Sequence, residues 1–156
     1  MTAAPVASNA GTPWLTAGGV LCLTAAVVHL AAIAGGGDWY RFFGAGESIA
    51  RAAERGSAIP ALMTIGIAAV LALWAAYALS GAGRIRRLPM LRTGLVLIAA
   101  IYLARGMAVV APGMLNRSDL SGTFIFWSSA IVLAFGLAYA IGTWRAWPHL
   151  SKKEFA

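Results

Sequence analysis

The sequence predicts an all-α integral membrane protein, a bundle of four transmembrane helices with both termini in the cytoplasm. Of its 156 residues, 60% are apolar and 11% are charged, whereas soluble domains are typically about 25% charged. Four apolar stretches each reach about 20 residues, the length that a helix needs to cross about 30 Å of hydrocarbon. Lysine and arginine are concentrated in alternate connections between these stretches, which is typical of a chain that crosses a bilayer repeatedly.

The first span is predicted at residues 14–35 and is followed by an outer loop at 36–57. A secretory signal peptide is the competing interpretation, because the small residues at 32–34 resemble a cleavage site. However, the segment before Trp14 holds no Lys or Arg, and the apolar run is longer than an ordinary signal core. We therefore predict a retained span.

The outer loop is rich in glycine at its start and turns helical further on. Glycines at 35, 36, 37, 44 and 46 permit tight turns and close backbone approach. From Glu47 to Arg55 the pattern predicts a short amphipathic helix, with Glu47 and Arg51 as an i,i+4 ion pair. This helix either lies in the membrane interface or extends the second span outward.

The later spans follow from the same kind of apolar run. A second span is predicted at 58–80, with Pro60 in its first turn, where a missing N–H costs little. Glycine, proline or charge bounds each of the runs beyond it. The remaining segments are an inner loop at 81–90, a third span at 91–111, an outer loop at 112–121, a fourth span at 122–144 and a cytoplasmic tail at 145–156.

The predicted orientation follows from the basic residues on each side of the membrane. One side has seven of them: Arg84, Arg86, Arg87, Arg92, Arg145, Lys152 and Lys153. The opposite side has four: Arg41, Arg51, Arg55 and Arg117. This margin of seven to four predicts that the inner loop and both termini are cytoplasmic. The protein is predicted to lie in the inner membrane of the cell. Membrane sidedness and anionic lipids thus account for the net charge of +7, and no nucleic-acid partner is predicted.

Polar residues at one depth of the apolar spans form the candidate functional site. Arg105 of the third span and His29 of the first each lie about six residues from the outer end of their span. Both are expected at one height in the outer leaflet, with Tyr102 one turn below Arg105 on the same helix face. An arginine near the middle of a membrane costs roughly 2.5 to 3.5 kcal/mol. The predicted layer and the loop above it also include Thr64, Trp127, Ser128, Ser129, Asp38, Tyr40, Arg41 and Glu47.

Structural roles are the alternative for each of these residues. Arg105 would then be paired with Glu47 or Asp38, and His29 would form an interhelical hydrogen bond. Tyr40 would be an aromatic anchor at the membrane interface. Taken together, however, an arginine, a histidine, tyrosines and carboxylates in a low-dielectric pocket suit an anionic head group or a quinone carbonyl. His29 in particular suits proton transfer.

Small residues recur at every fourth position of the fourth span, which predicts close helix packing. The stripe consists of Ala130, Ala134, Ala138 and Gly142. It serves either the bundle itself or contact with a second copy or a larger membrane complex.

Motifs for metal, nucleotide or nucleophilic chemistry are absent from the sequence. It contains no HExxH, CxxC, P-loop or GxSxG, so no metal is predicted and no cofactor is identified. Cys22 is the one cysteine and is interpreted as a small core residue.

The AAIYLARGMAVV segment around Arg105 and the GAGE segment at 44–47, together with the four-span layout, resemble the DoxX/DoxD-like group of small bacterial membrane proteins. That group includes subunits of quinone-linked oxidoreductases. The resemblance implies a four-helix bundle with a partner or a quinone-level ligand, and it assigns no catalytic residue.

The leading functional hypothesis is binding of a lipophilic or amphipathic ligand, lipid or quinone-like, in a polar pocket near the outer leaflet. Arg105 would contact the polar group of the ligand, while His29 and Tyr102 would orient it or move protons. Asp38, together with Arg41 and Glu47, would form a lid. The alternatives are an accessory subunit of a larger membrane complex and a small oligomeric transporter, and whether the protein is an enzyme stays open.

Overall fold

The structure is a computed structural model that describes residues 10–107 and 121–150, and within these ranges it contains helices and no strands. The described helices are α1 (Thr12–Phe42), α2 (Glu47–Glu54), α3 (Ile59–Gly81), α4 (Leu91–Met107) and α5 (Gly122–Leu150). By length and composition, three of them, α1, α3 and α5, are able to cross a membrane. The described part of α4 has 17 residues. The predicted end of the third span at 108–111, the loop residues 112–120 and the tail residues 151–156 lie outside the described residues.

The long helices expose large apolar side chains instead of burying them. In the most apolar 18-residue stretch of α1, α3 and α5, 28% of the residues are buried. Val27, Leu62 and Ile131 are each more than half exposed. In water such a surface would cause association, whereas a helix that is apolar on all sides is stable in lipid. The three helices therefore indicate a membrane protein.

Two closely packed helix pairs form the bundle. Helix α1 packs mainly on α3, α4 packs mainly on α5, and contact between α1 and α5 joins the pairs. Glycines allow the closest approaches: a Cβ atom added to Gly106 would lie 2.8 Å from the Cα atom of Leu133, and one added to Gly142 would lie 2.8 Å from Cγ of Leu15. Small residues give helices this proximity where lipid supplies no hydrophobic driving force.

One end of the bundle brings together the start of α1, the end of α3, the start of α4 and the end of α5. Gly81 at the end of α3 packs against Leu95 of α4 and Leu15 of α1. Gly11, just before α1, approaches the backbone of α5 at Gly142 and Ala146. The opposite end carries the last turns of α1, helix α2 and the start of α3.

Helix α1 bends sharply at Gly36, whose φ of 63° lies in the left-handed region. The bend carries the last helical turns back toward α3, where Tyr40 contacts Thr64. The predicted outer loop at 36–57 thus begins with helical residues rather than with an irregular connection. The amphipathic helix predicted from Glu47 is confirmed: α2 begins there and ends at Glu54, with Ala50 buried.

Candidate ligand-binding site

A pocket of about 280 Å³ lies between α1, α3 and the connection from α1 to α2. Its volume is close to the lower limit of small-molecule sites, about 300–1,000 Å³, so it fits a ring or a compact head group rather than a whole lipid. An apolar lining with a few polar groups is the usual composition of such sites. The lining residues are Val28, His29, Ala32, Tyr40, Phe43, Ala45, Thr64 and Ile67.

Tyr40 and Thr64 form a buried polar wall of the pocket. Tyr40 is 5% exposed and Thr64 is 6% exposed, and the Tyr40 hydroxyl oxygen lies 3.1 Å from Oγ1 of Thr64. The Thr64 hydroxyl donates to the carbonyl of Pro60 at 2.7 Å, which uses its single proton. Tyr40 therefore donates to Thr64, and the lone pairs of the Tyr40 oxygen are available to a ligand.

His29 adds a second acceptor to the pocket. Its Nδ1 atom lies 2.7 Å from the carbonyl oxygen of Ala25, one turn earlier in α1. Because a carbonyl only accepts hydrogen bonds, Nδ1 carries the proton, and Nε2 of the neutral ring is an acceptor. The half-buried imidazole and the Tyr40 oxygen thus offer two acceptors, an arrangement that favours a ligand with hydroxyl donors.

Beside the pocket, Arg41 is the centre of an ion-pair cluster that joins the end of α1 to α2. Its Nε atom donates to Oε2 of Glu47 at 2.8 Å, and its Nη1 atom lies 3.3 Å from Oδ1 of Asp38. The same Nη1 pairs with Glu54. Arg51 completes the cluster by donating to Oε1 of Glu47 at 2.7 Å, which is the predicted i,i+4 pair. The cluster is exposed, so water and salt weaken each pair, and the network acts mainly by positioning α2.

Glu54 belongs to the cluster although, like Arg51, it is not among the predicted site residues. It lies seven residues after Glu47 and therefore on the same face of α2, a spacing that would have identified it. Gly37 makes room for it, since a Cβ atom at Gly37 would lie 2.6 Å from Oε1 of Glu54.

Acidification is expected to release α2 from the end of α1. The hydrogen bond from Arg41, followed by that from Arg51, lowers the pKa of Glu47 from 4.5 to about 2, and Arg41 also lowers the pKa of Glu54. A carboxylate whose pKa is lower in the folded state stabilises that state above its unfolded pKa and loses this effect as pH falls. Amide exchange protection in α2, measured by NMR relative to α3, should therefore decrease between pH 4.5 and about 2.

A Glu47→Gln variant tests whether the charge of Glu47 holds α2 on the end of α1. It should show the weakened protection of α2 already at neutral pH, because the neutral amide cannot pair with Arg41 or Arg51 as a charge. If amide protection of α2 is equal in the wild type and in Glu47→Gln across the whole pH range, the ion-pair cluster does not hold α2 on the end of α1.

Tyr102 does not line the pocket but belongs to a hydrogen-bonded cluster among the four long helices. The sulfur of Cys22 in α1 lies 3.1 Å from the hydroxyl oxygen of Tyr102 in α4 and 3.2 Å from that of Tyr139 in α5. Tyr139 donates to the carbonyl of Trp74 in α3 at 2.9 Å. All three side-chain polar groups lie in the core cluster. We call this set the Cys22 cluster.

The donor order in the Cys22 cluster follows from counting protons. Tyr139 gives its one hydroxyl proton to the Trp74 carbonyl, so its oxygen must accept from the thiol of Cys22. The Cys22 sulfur then accepts from the hydroxyl of Tyr102. Every proton is used and the order is unidirectional, so Cys22 is more than the small core residue predicted from sequence. Tyr139 was not selected, although a tyrosine in the middle of an apolar span signals a buried hydroxyl that needs a partner.

Arg105 lies outside the pocket, with an exposed side chain. The buried residues of α4 include Ile98, Tyr102 and Gly106. Arg105 follows Tyr102 by three positions, about 60° away from it around the helix, which is enough to turn the side chain out of the bundle. The structure therefore shows Arg105 on the exposed side of α4 rather than in a buried layer with Tyr102, and the alternative pairing with Glu47 or Asp38 is not observed among the described residues. Both carboxylates pair with Arg41.

The polar residues predicted in one layer belong to two separate groups in the structure. Tyr102 is in the Cys22 cluster, whereas His29 and Thr64 line the pocket together with Tyr40. The single polar layer predicted from sequence is therefore divided into the Cys22 cluster and the pocket.

The candidates on α5 are also separate from the pocket. Trp127 is 61% exposed, and Ser128 donates its hydroxyl proton to the carbonyl of Ile125 at 3.1 Å. Ser129 is buried, and its hydroxyl has no hydrogen-bond partner among the described residues. The pocket thus unites His29, Tyr40 and Thr64 of the predicted set, with Asp38, Arg41 and Glu47 in the adjacent ion-pair cluster.

The small-residue stripe of α5 is divided along its length. Ala138 and Gly142 are buried in the bundle, whereas Ala130 and Ala134 are exposed. The buried half serves packing within the chain, because Gly142 contacts Leu15 of α1.

Comparison with known proteins identifies no relative: no family model, no curated protein and no solved structure matches the chain. Among the described residues, no group of three or more His, Cys, Asp or Glu is arranged to hold a metal ion. The pocket is therefore the feature of the protein from which a function is proposed.

Proposed function

We propose that this protein spans an inner membrane four times, with cytoplasmic termini, and binds a lipophilic ligand through a hydroxyl-bearing head group. The observation that carries the proposal is the pocket, in which His29, Tyr40 and Thr64 meet within an apolar lining. Polar groups inside apolar spans are costly and are by default candidates for function. A lipid with a free hydroxyl or a hydroquinone meets the chemistry of the site.

The position of the pocket suits a ligand that enters from the membrane. If the basic end is cytoplasmic, the pocket lies in the outer half of the bilayer. Val28 and Ile67 line the pocket and also have exposed side chains, so an apolar tail could leave between them into lipid. Trp39 and Phe42 are exposed near the bend of α1, where aromatic residues would mark the outer interface.

The two acceptors define how a ligand would bind. A hydroxyl could donate to Nε2 of His29 and a second donor to the oxygen of Tyr40, while the Tyr40–Thr64 hydrogen bond holds the phenol in place. If the ligand is ionised in a reaction, Nε2 of His29 is the atom that accepts the proton. The Arg41 cluster, with α2, would restrict exchange of the ligand with water.

Mass spectrometry of molecules retained after gentle extraction from the native membrane tests the proposal. We expect one lipid or quinol per protein in the wild type and at least about a tenfold lower occupancy in His29→Leu and Tyr40→Phe, since each removes one acceptor. Arg105→Leu is the matched control. This substitution also removes a polar side chain from an apolar helix, but Arg105 lies outside the pocket. The variant protein should therefore retain the ligand.

Loss of the ligand in Arg105→Leu together with retention in His29→Leu would overturn this assignment in favour of a site at Arg105. The accessory-subunit function is the second candidate, because Ala130 and Ala134 leave half of the small-residue stripe exposed. A stoichiometric membrane-protein partner without any retained small molecule, released by Ala134→Leu, would favour that function. The oligomeric transporter would instead require uptake by proteoliposomes that contain the purified protein.

A further inference from the structure

The end of the bundle opposite the ligand pocket contains a larger groove of about 620 Å³. It lies between the connection that precedes α4, the first turn of α4 and the end of α5. We call it the basic groove. Its lining residues are Arg87, Leu88, Pro89, Met90, Leu91, Arg92, Thr93 and Leu150.

Two arginines are held in the basic groove by backbone carbonyls of α5. Arg87 donates from Nη2 to the carbonyl of Leu150, and Arg92 donates from Nη2 to the carbonyl of Trp147 at 2.9 Å. The guanidinium of Arg92 also lies over the Trp147 ring, 4.3 Å from its centroid. These contacts fix both guanidinium groups in position against α5.

The fixed guanidinium groups keep unused hydrogen-bond donors. A guanidinium has five N–H donors, and the contacts to α5 use one from each arginine. The Nε atom of Arg92 is buried and has no hydrogen-bond partner among the described residues. Because that atom is closed to solvent, an acceptor in the groove would bind the remaining Nη donors of the two arginines, of which Arg87 is exposed.

The charge at this end makes that acceptor an anion. Among the described residues, the arginines at the end of the bundle that holds the basic groove are Arg84, Arg86, Arg87, Arg92 and Arg145. All Asp and Glu of the described residues, namely Asp38, Glu47 and Glu54, lie at the other end of the bundle. The start of α4 adds the positive end of a helix dipole. A phosphate group is suited to paired guanidinium groups, which bind its oxygens with charge-assisted hydrogen bonds.

The walls of the groove select a phosphate that carries acyl chains. Leu88, Met90 and Leu91 are apolar, and Met90 is 74% exposed. The exposed Val96 and Leu97 continue this surface along α4. We propose that the basic groove binds the head group of an anionic phospholipid, with the phosphate on Arg87 and Arg92 and an acyl chain along α4. The site is separate from the ligand pocket and does not depend on its function.

Native mass spectrometry of the purified full chain in detergent tests this site. The probes are phosphatidylglycerol, phosphatidylcholine with the same acyl chains, and inorganic phosphate as a competitor. We expect specific retention of phosphatidylglycerol and at least about a tenfold loss of apparent affinity in the double variant Arg87→Gln with Arg92→Gln. The double variant Arg86→Gln with Arg145→Gln removes the same charge from the same end outside the groove, and it should bind as the wild type does.

A second variant keeps the test decisive if loss of both arginines prevents folding. Thr93→Trp fills the groove but leaves both arginines on their carbonyls, and it should also abolish retention. Equal losses in both double variants would show diffuse attraction and overturn the site. Equal retention of phosphatidylcholine, displacement by millimolar inorganic phosphate, or full retention by Thr93→Trp would each overturn it as well.

Discussion

Replacing Gly106 with alanine is expected to destabilise the bundle by about 1–3 kcal/mol, the usual cost of overpacking a core. The added Cβ atom would lie 2.8 Å from Cα and 2.9 Å from the backbone N of Leu133. Neither atom can move away by a change of rotamer, so α4 and α5 must separate. Thermal unfolding of the protein in detergent, followed by circular dichroism, should show a lower melting temperature.

Gly66→Ala is the matched control for this prediction. Gly66 lies within α3, and an added Cβ atom there would have no neighbouring atom within 4 Å. Because alanine is also the better helix former, this variant should be as stable as the wild type or more so. If both variants unfold at the same temperature, the close contact of α4 with α5 does not govern stability.

Replacing Tyr139 with phenylalanine is expected to cost about 1–3 kcal/mol of stability, because it leaves a buried donor unsatisfied. The thiol of Cys22 loses its acceptor, and the Trp74 carbonyl loses a hydrogen bond from the fully buried tyrosine. Tyr102→Phe should cost less. It removes a proton given to sulfur, a weak acceptor, and leaves the Cys22–Tyr139–Trp74 contacts intact.

The comparison of these two variants tests the donor order of the Cys22 cluster, since both remove one hydroxyl from the same core. Chemical or thermal unfolding in one detergent gives the two changes in stability. Should Tyr102→Phe prove the more destabilising of the two, the proposed direction from Tyr102 through Cys22 to Tyr139 would be reversed or absent.

The long helices could largely be predicted because apolar runs are local in sequence. The second predicted span at 58–80 corresponds to α3 at Ile59–Gly81. Helix ends were less predictable: α1 passes through the bend at Gly36, and α5 continues beyond residue 144 to Leu150. Glycine permits the unusual φ at the bend without interrupting the helical residues on either side, and this cannot be deduced from hydropathy.

The site was predictable only in part, for a geometric reason. Counting residues from the ends of spans estimates depth, but each residue rotates the side chain by about 100°. Arg105 is thus expected in a buried layer from its position in the span, whereas its side chain is exposed. Tyr40 is a candidate from its sequence position, but its contact with Thr64 depends on the bend at Gly36. The partners of Cys22 are 80 and 117 residues away in sequence, and no local pattern predicts such contacts.

The most direct test of the proposed ligand site is a crystal structure of the protein grown from a lipidic phase with the molecules extracted from its native membrane. We expect electron density in the pocket, with a ligand oxygen about 2.6–3.2 Å from Nε2 of His29 or from the hydroxyl oxygen of Tyr40. A pocket closed by its own side chains, with ligand density beside Arg105 instead, would contradict the account.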